Sequence, residues 1–411
     1  MFNTSPAPGT KQLLLSATAG AAGAAAAYWW LSSRKKAALE PRPPAGFYEE
    51  TCDLSGFDPA GMNFNDPSPD GHALFGLPHT VEEALVQVIP VPWEATASYR
   101  LGTAAAPGAL LDNTEQVDLH DTESGDAWRS GIALRGVDPR LVEWNAAAVE
   151  LSKPVCAAGG PGEDGVMLAA CAQVDGFCEK MIECVRAETL AVLRAGKVPG
   201  VFGGDHSVAY PAISAMCDHL DGGGGGGASS LGVLHIDAHA DLREGFEGFK
   251  YSHAGVFRHV LRDGRVGKLV SVGLRDVCAA EVELLEQGAG GGSAAVQAFF
   301  DAEMAHRLAE GETWGSICRE IVAALPQTVW VTWDIDGFDP AVCPATGTPV
   351  PGGLSWQQGM VLLRTLAQSG RKIVGFDICE VNGVEEWDGI VAARLLYKLA
   401  SWAIFTQHNN K

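Results

Sequence analysis

Two histidines and four aspartates, His206, Asp237, His239, Asp241, Asp334 and Asp336, stand in three short blocks, and each block follows an apolar run directly. The runs Val198 to Phe202, Leu231 to Ile236 and Val329 to Trp333 read as buried strands. After them come Gly203-Gly204-Asp205-His206-Ser207, then Asp237-Ala238-His239-Ala240-Asp241, then Asp334-Ile335-Asp336-Gly337-Phe338-Asp339-Pro340. In an extended chain, residues at i, i+2 and i+4 share a face. Asp237, His239 and Asp241 therefore converge on one point, and Asp334 with Asp336 converge from a neighbouring strand. Four carboxylates gathered away from water repel one another and take up protons unless cations sit among them. Two divalent ions resolve that conflict. Mixed carboxylate and imidazole ligation suits Mn²⁺, and Ni²⁺, Co²⁺ and Zn²⁺ are compatible with it. Any one block alone is also what solvated loop carboxylates and a hydrogen-bonded histidine would look like; three of them at three strand ends favour a metal site.

The elements that must position these blocks alternate along the chain. A strand at Leu85 to Ile89 opens the regular fold. A helix from about Ala106 to Val117 and a long helix from Val166 to about Ala195 follow, and further strands are expected at Leu269 to Val272 and Lys372 to Phe376 before a last helix near Ile390 to Ile404. Such alternation predicts an α/β fold in three αβα layers around a doubly wound, mostly parallel sheet. In such sheets ligands bind beyond the carboxyl ends of the strands, where all three blocks lie. The glycine runs 222–227 and 288–292 fall between elements and match no phosphate-cradling pattern, so they read as loop insertions.

With 411 residues, 47% of them hydrophobic, the chain can bury a large core without staples. A formal net charge of −21 lacks the basic footprint that nucleic acid or an anionic membrane surface requires, and it is compatible with a cationic small molecule. Ten cysteines with no CxxC pair read as reduced and mostly buried, which favours a cytosolic, mitochondrial-matrix or plastid setting. Residues 13–33 carry no charge, basic residues flank them, and the first acid of the chain is Glu40. Residues 1–40 are accordingly expected to be a targeting peptide for the mitochondrion or another organelle, or else a membrane anchor that leaves the body facing the cytosol. Residues 41–84, rich in Pro, Gly, Asp and Asn, read as an irregular extension, and 85–411 as the catalytic domain.

The blocks GGDHS, DAHAD and DIDGFDP resemble the signatures of the ureohydrolases, the arginase and agmatinase family. The resemblance runs from about Leu85 to the C-terminus. It takes in Ser252 and His253, Gly273 to Arg275, Thr346 to Gly353, and Glu380 within Asp377 to Val381. It implies an arginase-like fold, commonly in trimers or hexamers, that hydrolyses a guanidino group and releases urea. By the same resemblance His206, Asp237, Asp241 and Asp334 hold one ion, while Asp237, His239, Asp334 and Asp336 hold the other. Asp241 orients the attacking water, His253 carries a proton to the leaving amine, and Glu380 binds the substrate guanidinium. His235, inside a strand, reads as a hydrogen-bonded core histidine, and Asp205 and Asp339 as residues that orient backbone and ligands.

The substrate is read from departures within the resemblance. Arginases have an Asn two residues after the last Asp of the second block, where this chain has Arg243, and an Asp three residues after the Arg of the GLRD run, where it has Cys278. The intervening loop carries Phe246, Phe249, Lys250 and Tyr251. The apparatus for the amino-acid head of L-arginine is therefore missing. Agmatine, cleaved to putrescine and urea, becomes the first expectation, since aromatic faces attract cations. Free guanidine or another small guanidino compound, with Ni²⁺ in place of Mn²⁺, is the rival, then arginine. A catalytically silent scaffold of the same fold is the alternative of another class.

Overall fold

The computed structural model describes residues 43–44, 46–55, 57, 74–222, 230–287 and 295–409. The leader expected at residues 1–40 lies outside them, as does most of both glycine runs. Eight parallel strands form one sheet: β1 (Val86–Pro90), β2 (Ile132–Leu134), β3 (Val198–Phe202), β4 (Leu231–Ile236), β5 (Lys268–Leu274), β6 (Ala295–Phe300), β7 (Thr328–Asp334) and β8 (Lys372–Cys379). Their order is β2-β1-β3-β8-β7-β4-β5-β6. The direction of winding reverses around β3, β8, β7 and β4, and three of these strands are the ones that end in the metal-ligand blocks.

Side chains alternate across the sheet, so every strand feeds two cores. Leu234, Ile236, Val329, Val331 and Trp333 face one side. They pack there against helices α1 (Ala106–Thr114), α8 (Trp314–Ala323), α9 (Trp356–Gln368) and α10 (Glu386–His408). Leu231, Val233, Leu269 and Trp330 face the other side, against α2 (Pro139–Ala157), α3 (Gly165–Arg194), α4 (Ala209–Gly222) and α5 (Val256–Arg262). Two shorter helices, α6 (Ala279–Glu286) and α7 (Asp301–Ala309), flank β6. This is the three-layer architecture expected from the alternation. Burial on both faces explains why β1, β3 and β4 are buried along their whole length. α10 is long and apolar enough to cross a membrane, yet most of it is buried as a core helix.

Prediction and structure differ at α2, a 19-residue helix outside the expected elements, and at short elements. β2 has three residues and β6 follows a glycine-rich stretch, so neither announces itself in the sequence. Residues from Gly46 onward belong to one folded unit. Tyr48, Leu54, Leu74, Phe75 and Leu77, all before the first strand, are buried in the core shared with α10.

Candidate active site

Gly203 and Gly204, at φ 93° and 84°, turn the chain sharply at the end of β3. The Asp205 carboxylate then accepts the Ser207 N–H at 3.1 Å and caps the single turn that carries His206 into α4. His206 is fully buried. Its Nε2 lies 2.9 Å from Thr332 Oγ1 on β7. Thr332 in turn donates to Asp377 Oδ1 on β8 at 2.6 Å, and Trp330 Nε1 donates to Asp377 Oδ2 at 2.6 Å. Because the threonine proton goes to the carboxylate, His206 must donate through Nε2, which leaves a lone pair on Nδ1. That lone pair faces Asp237 Oδ2 at 3.0 Å, Asp241 Oδ2 at 3.1 Å and Asp334 Oδ2 at 3.3 Å. None of the three stands in line as a hydrogen-bond partner. With Nδ1 unprotonated, four electron-rich atoms surround one point, which either a cation or a captured proton must occupy.

Asp237 spans this group and a second one. Its Oδ2 faces His206 and also His235 Nε2 at 2.8 Å. Its Oδ1 accepts the His239 N–H at 2.6 Å and lies 3.4 Å from His239 Nδ1. His239 Nδ1 is 3.1 Å from Asp336 Oδ2. Asp336 is held by the Ala238 N–H at 3.0 Å and the Thr348 hydroxyl at 3.2 Å. Asp334 presents Oδ2 to the first group, while its Oδ1 accepts the Asp336 N–H at 2.8 Å.

Electrostatics point the same way. Burial and the neighbouring Asp237 charge push Asp241 up to about 7. Burial and the charges of Asp336 and Asp237 raise Asp334 well above the carboxylate range. Burial disfavours a charged His239, yet Asp336 and Asp237 outweigh it and push that imidazole up to about 12. His206 likewise stays well above its ordinary value, because Asp237, Asp241 and Asp334 overcome its burial. Without cations the cluster therefore hoards protons. Oxygen and imidazole donors about 3 Å apart are spaced as ligands of one ion are when each lies about 2.1 Å from it. The residues fit a pair of divalent cations joined by Asp237.

The convergence is achieved differently from the strand alternation expected in the sequence. β4 stops at Ile236, and Asp241 adopts a left-handed backbone at φ 53°. β7 ends at Asp334, and Asp336 sits in a one-turn 3-10 helix over Ile335–Gly337. Turns, with their short hydrogen bonds from the i+2 amide to the aspartate, aim these carboxylates. His253 stands in a turn capped by Ser252, just before α5. Glu380 directly follows β8 at φ 61°, and its Oε1 accepts the His206 N–H at 3.0 Å. Burial, then the nearby Asp205 charge, raises the Glu380 carboxyl well above its usual range.

A cavity of about 170 Å³ opens onto His239, Asp241, Asp334, His253 and Glu380, with Arg243 and Phe246 in its wall. A larger cavity of about 460 Å³, beside Arg135 and Glu188, lies away from all three blocks, and these two residues already pair with each other at 2.7 Å. The smaller cavity is therefore the one with chemistry in it. A profile of the arginase family matches residues 84–402. The chain belongs to the arginase family.

Among its relatives, the N(1)-aminopropylagmatine ureohydrolase of Thermus thermophilus is 32% identical over 327 residues, spanning 79% of this chain and 92% of that protein. The protein of the same name from Synechocystis sp. is 30% identical over 324 residues, 78% and 89% of the two chains. In fold, the crystal structure of agmatine ureohydrolase of Thermoplasma volcanium matches with a TM-score of 0.61 at 24% identity, covering 82% and 96%. This arginase-family member is a hydrolase of C–N bonds in linear amidines, as the ureohydrolase resemblance implied.

Several sequence readings change at this point. Of the aromatic loop, only Phe246 lines the cavity; Phe249 is buried in the core, and Lys250 and Tyr251 bind Asp175 through their amides at 2.9 and 3.4 Å. Alternation cannot tell inside from outside in an irregular loop. Cys278 does not line the cavity either; it caps α6 together with Glu281. Thr332, Asp377 and Trp330, which orient His206, lie outside the three blocks, and a carboxylate within the apolar run of β8 is the sequence signal that marks them. His235 bridges Ser271 at 3.0 Å and Asp237, so it supports a ligand rather than merely filling the core.

Proposed function

We propose that this arginase-family enzyme hydrolyses the guanidino group of a small cationic guanidine to urea and an amine, with agmatine, giving putrescine, as the first candidate. One observation carries the reading: the buried carboxylate of Glu380 opens onto the same small cavity as the paired clusters of His206, Asp241 and Asp334 and of His239 and Asp336. His206, Asp237, Asp241 and Asp334 would hold one divalent cation and Asp237, His239, Asp334 and Asp336 the other, Mn²⁺ before Ni²⁺. When bound, the pair supplies a water that loses its proton near neutral pH.

A guanidinium keeps its charge at all relevant pH values, so a planar carboxylate is the group that can fix its plane through two N–H bonds. Glu380 does this with its backbone already held by the Thr346 hydroxyl, which donates to the Glu380 carbonyl at 2.9 Å. Asp241 holds the attacking water in line with the guanidinium carbon. His253, kept neutral at rest by burial, takes up the proton that the water loses and hands it to the departing nitrogen. The C–O bond forms, the C–N bond breaks, the amine leaves neutral, and the protonated urea left behind releases its O–H proton to solvent, where the amine takes it up. Relatives named for aminopropylagmatine support an alkylguanidine. Free guanidine is the second reading, favoured by Arg243, whose own cation lies 4.8 Å over the Phe246 ring in the cavity wall and opposes a charged tail.

The test is urea release by protein loaded with Mn²⁺ or Ni²⁺, from agmatine, guanidine, arginine and 4-guanidinobutyrate in parallel. Turnover of agmatine above the others supports the first reading, and turnover of guanidine above agmatine supports the second. Urea from none of the four overturns both.

A further inference from the structure

We propose that Thr96 and Asp205 form a hydrogen-bond relay that fixes a proton on Nδ1 of His253 and leaves Nε2 as the nitrogen that exchanges protons in the cavity. The inference rests on the reading of His253 as the proton carrier and adds to it two residues from separate parts of the chain.

Thr96 lies in the loop after β1, Asp205 in the turn after β3, and His253 in the turn before α5; Thr96 and Asp205 are both at most 1% exposed. Thr96 Oγ1 accepts the backbone N–H of His253 at 3.2 Å. The same oxygen is 3.4 Å from His253 Nδ1 and 3.3 Å from Asp205 Oδ2. A hydroxyl has one proton for these two neighbours. Asp205 can only accept; it also receives the Thr96 N–H at 3.4 Å and the Ser207 N–H at 3.1 Å, and it holds the Ser207 hydroxyl as well. A charged acceptor binds a hydroxyl proton more strongly than a neutral ring nitrogen does. The threonine proton therefore points at Asp205, and its oxygen turns a lone pair toward Nδ1.

Only a protonated Nδ1 satisfies that lone pair, and the hydrogen bond made by one ring nitrogen decides the state of the other. Ser252 Oγ, 3.5 Å from Nδ1, is a second oxygen on the same side of the ring and can accept the same proton. Nε2 has no partner among the described residues, and His253 lines the cavity. With Nδ1–H held, Nε2 alternates between a bare acceptor, which takes the proton from water, and an N–H donor, which gives it to the leaving nitrogen. Without the relay the ring can settle as the opposite tautomer, whose Nε2 already carries its proton and cannot accept another. Thr96 and Asp205 are thus positioning residues; neither touches the reacting atoms.

The experiment compares Thr96→Val, Thr96→Ser and His253→Ala in metal-loaded protein, with bound metal and thermal midpoint recorded for each. Thr96→Val keeps the shape and loses the hydroxyl. It should lower kcat by about tenfold to a hundredfold, part of the ~10²–10⁴ that a positioned acid–base group supplies, with KM changed less than about threefold. Thr96→Ser should recover most of the loss. The ¹⁵N signals of the His253 ring, assigned by their absence in His253→Ala and read on Zn²⁺-loaded protein, should report a proton on Nδ1 in the wild type and a shift toward Nε2–H in Thr96→Val. Wild-type kcat together with an unchanged ring pattern in Thr96→Val would overturn the relay. A His253→Ala variant that keeps wild-type kcat would instead overturn the proton-carrier reading, so the two failures are told apart.

Discussion

Replacing Glu380 by Gln tests the substrate-binding carboxylate and its burial at once. In the resting structure Glu380 is buried, sits in the left-handed region at φ 61°, and spends one oxygen on the His206 N–H. The amide oxygen of the Gln variant can keep that bond, so the local fold should survive. What disappears is the charge facing the guanidinium. Hydrogen bonds to charged groups are worth about 1.5–3 kcal/mol each, and stripping one member from a buried ionic pair costs about 3–5 kcal/mol. At about 1.4 kcal/mol per factor of ten, kcat/KM should fall by roughly 150- to 5,000-fold. Stability should move the other way. Burial and the Asp205 charge hold the carboxyl well above its usual range, so the folded state is penalised at neutral pH by a charge that the amide lacks. The thermal midpoint of Glu380→Gln should therefore equal or exceed that of the wild type, by ~1–4 °C. Steady-state kinetics with agmatine and guanidine, alongside calorimetry at pH 7.5, provide both numbers. A kcat/KM within fivefold of wild type on every active substrate would refute the role assigned to Glu380. A large loss accompanied by a lowered midpoint would show that the side chain serves the fold instead.

Three further outcomes follow from the same geometry. Asp237→Asn should strip both cations and abolish turnover, because Asp237 faces both clusters with separate oxygens; a full complement of two ions by elemental analysis would contradict the assignment. Metal-free protein should lose stability as pH rises from 7 to 9: His206 and His239 have folded-state pKa values raised above the unfolded ~6.5, His239 to about 12, so the folded state binds more protons than the unfolded state across that window. Mn²⁺ displaces those protons, so it should raise the midpoint and flatten the slope; a metal-free midpoint that climbs over this range would refute the charge arrangement. Gly375→Ala would drive a methyl group into the Trp330 ring, at an overpacking cost of roughly 1–3 kcal/mol, and should weaken the ion next to His206 by disturbing Asp377 and Thr332; unchanged metal affinity despite lowered stability would show that this tether does not orient His206.

Much of the site could be read in the sequence because its ligands lie at strand ends in local blocks, where i, i+2 spacing and apolar runs are both visible. The sheet followed from the same runs. What stayed hidden has physical reasons. Thr332 and Asp377 act on His206 from β7 and β8, strands that only the fold makes neighbours. Thr96 meets His253 across 157 positions of chain. Phe249 and Phe246 differ in role because a loop turns one inward and the other toward the cavity, which no periodicity encodes.

The left-handed backbones of Asp241 and Glu380 are the least legible feature, since neither is glycine. Each costs about 1–3 kcal/mol, a strain that persists only where the surroundings dictate it. For Asp241 those surroundings include the Phe257 N–H, which donates to its carbonyl at 3.0 Å. For Glu380 they are its N–H donating to the Gly204 carbonyl at 3.0 Å and the Thr346 hydroxyl on its own carbonyl. Both strained residues carry a buried carboxyl with a raised pKa, so backbone and electrostatic costs fall on the same two positions. Cations beside Asp241 and a guanidinium beside Glu380 would relieve the electrostatic part only when they bind. The scaffold therefore holds both carboxylates ready before substrate arrives, which is where preorganised charge has its effect on a transition state.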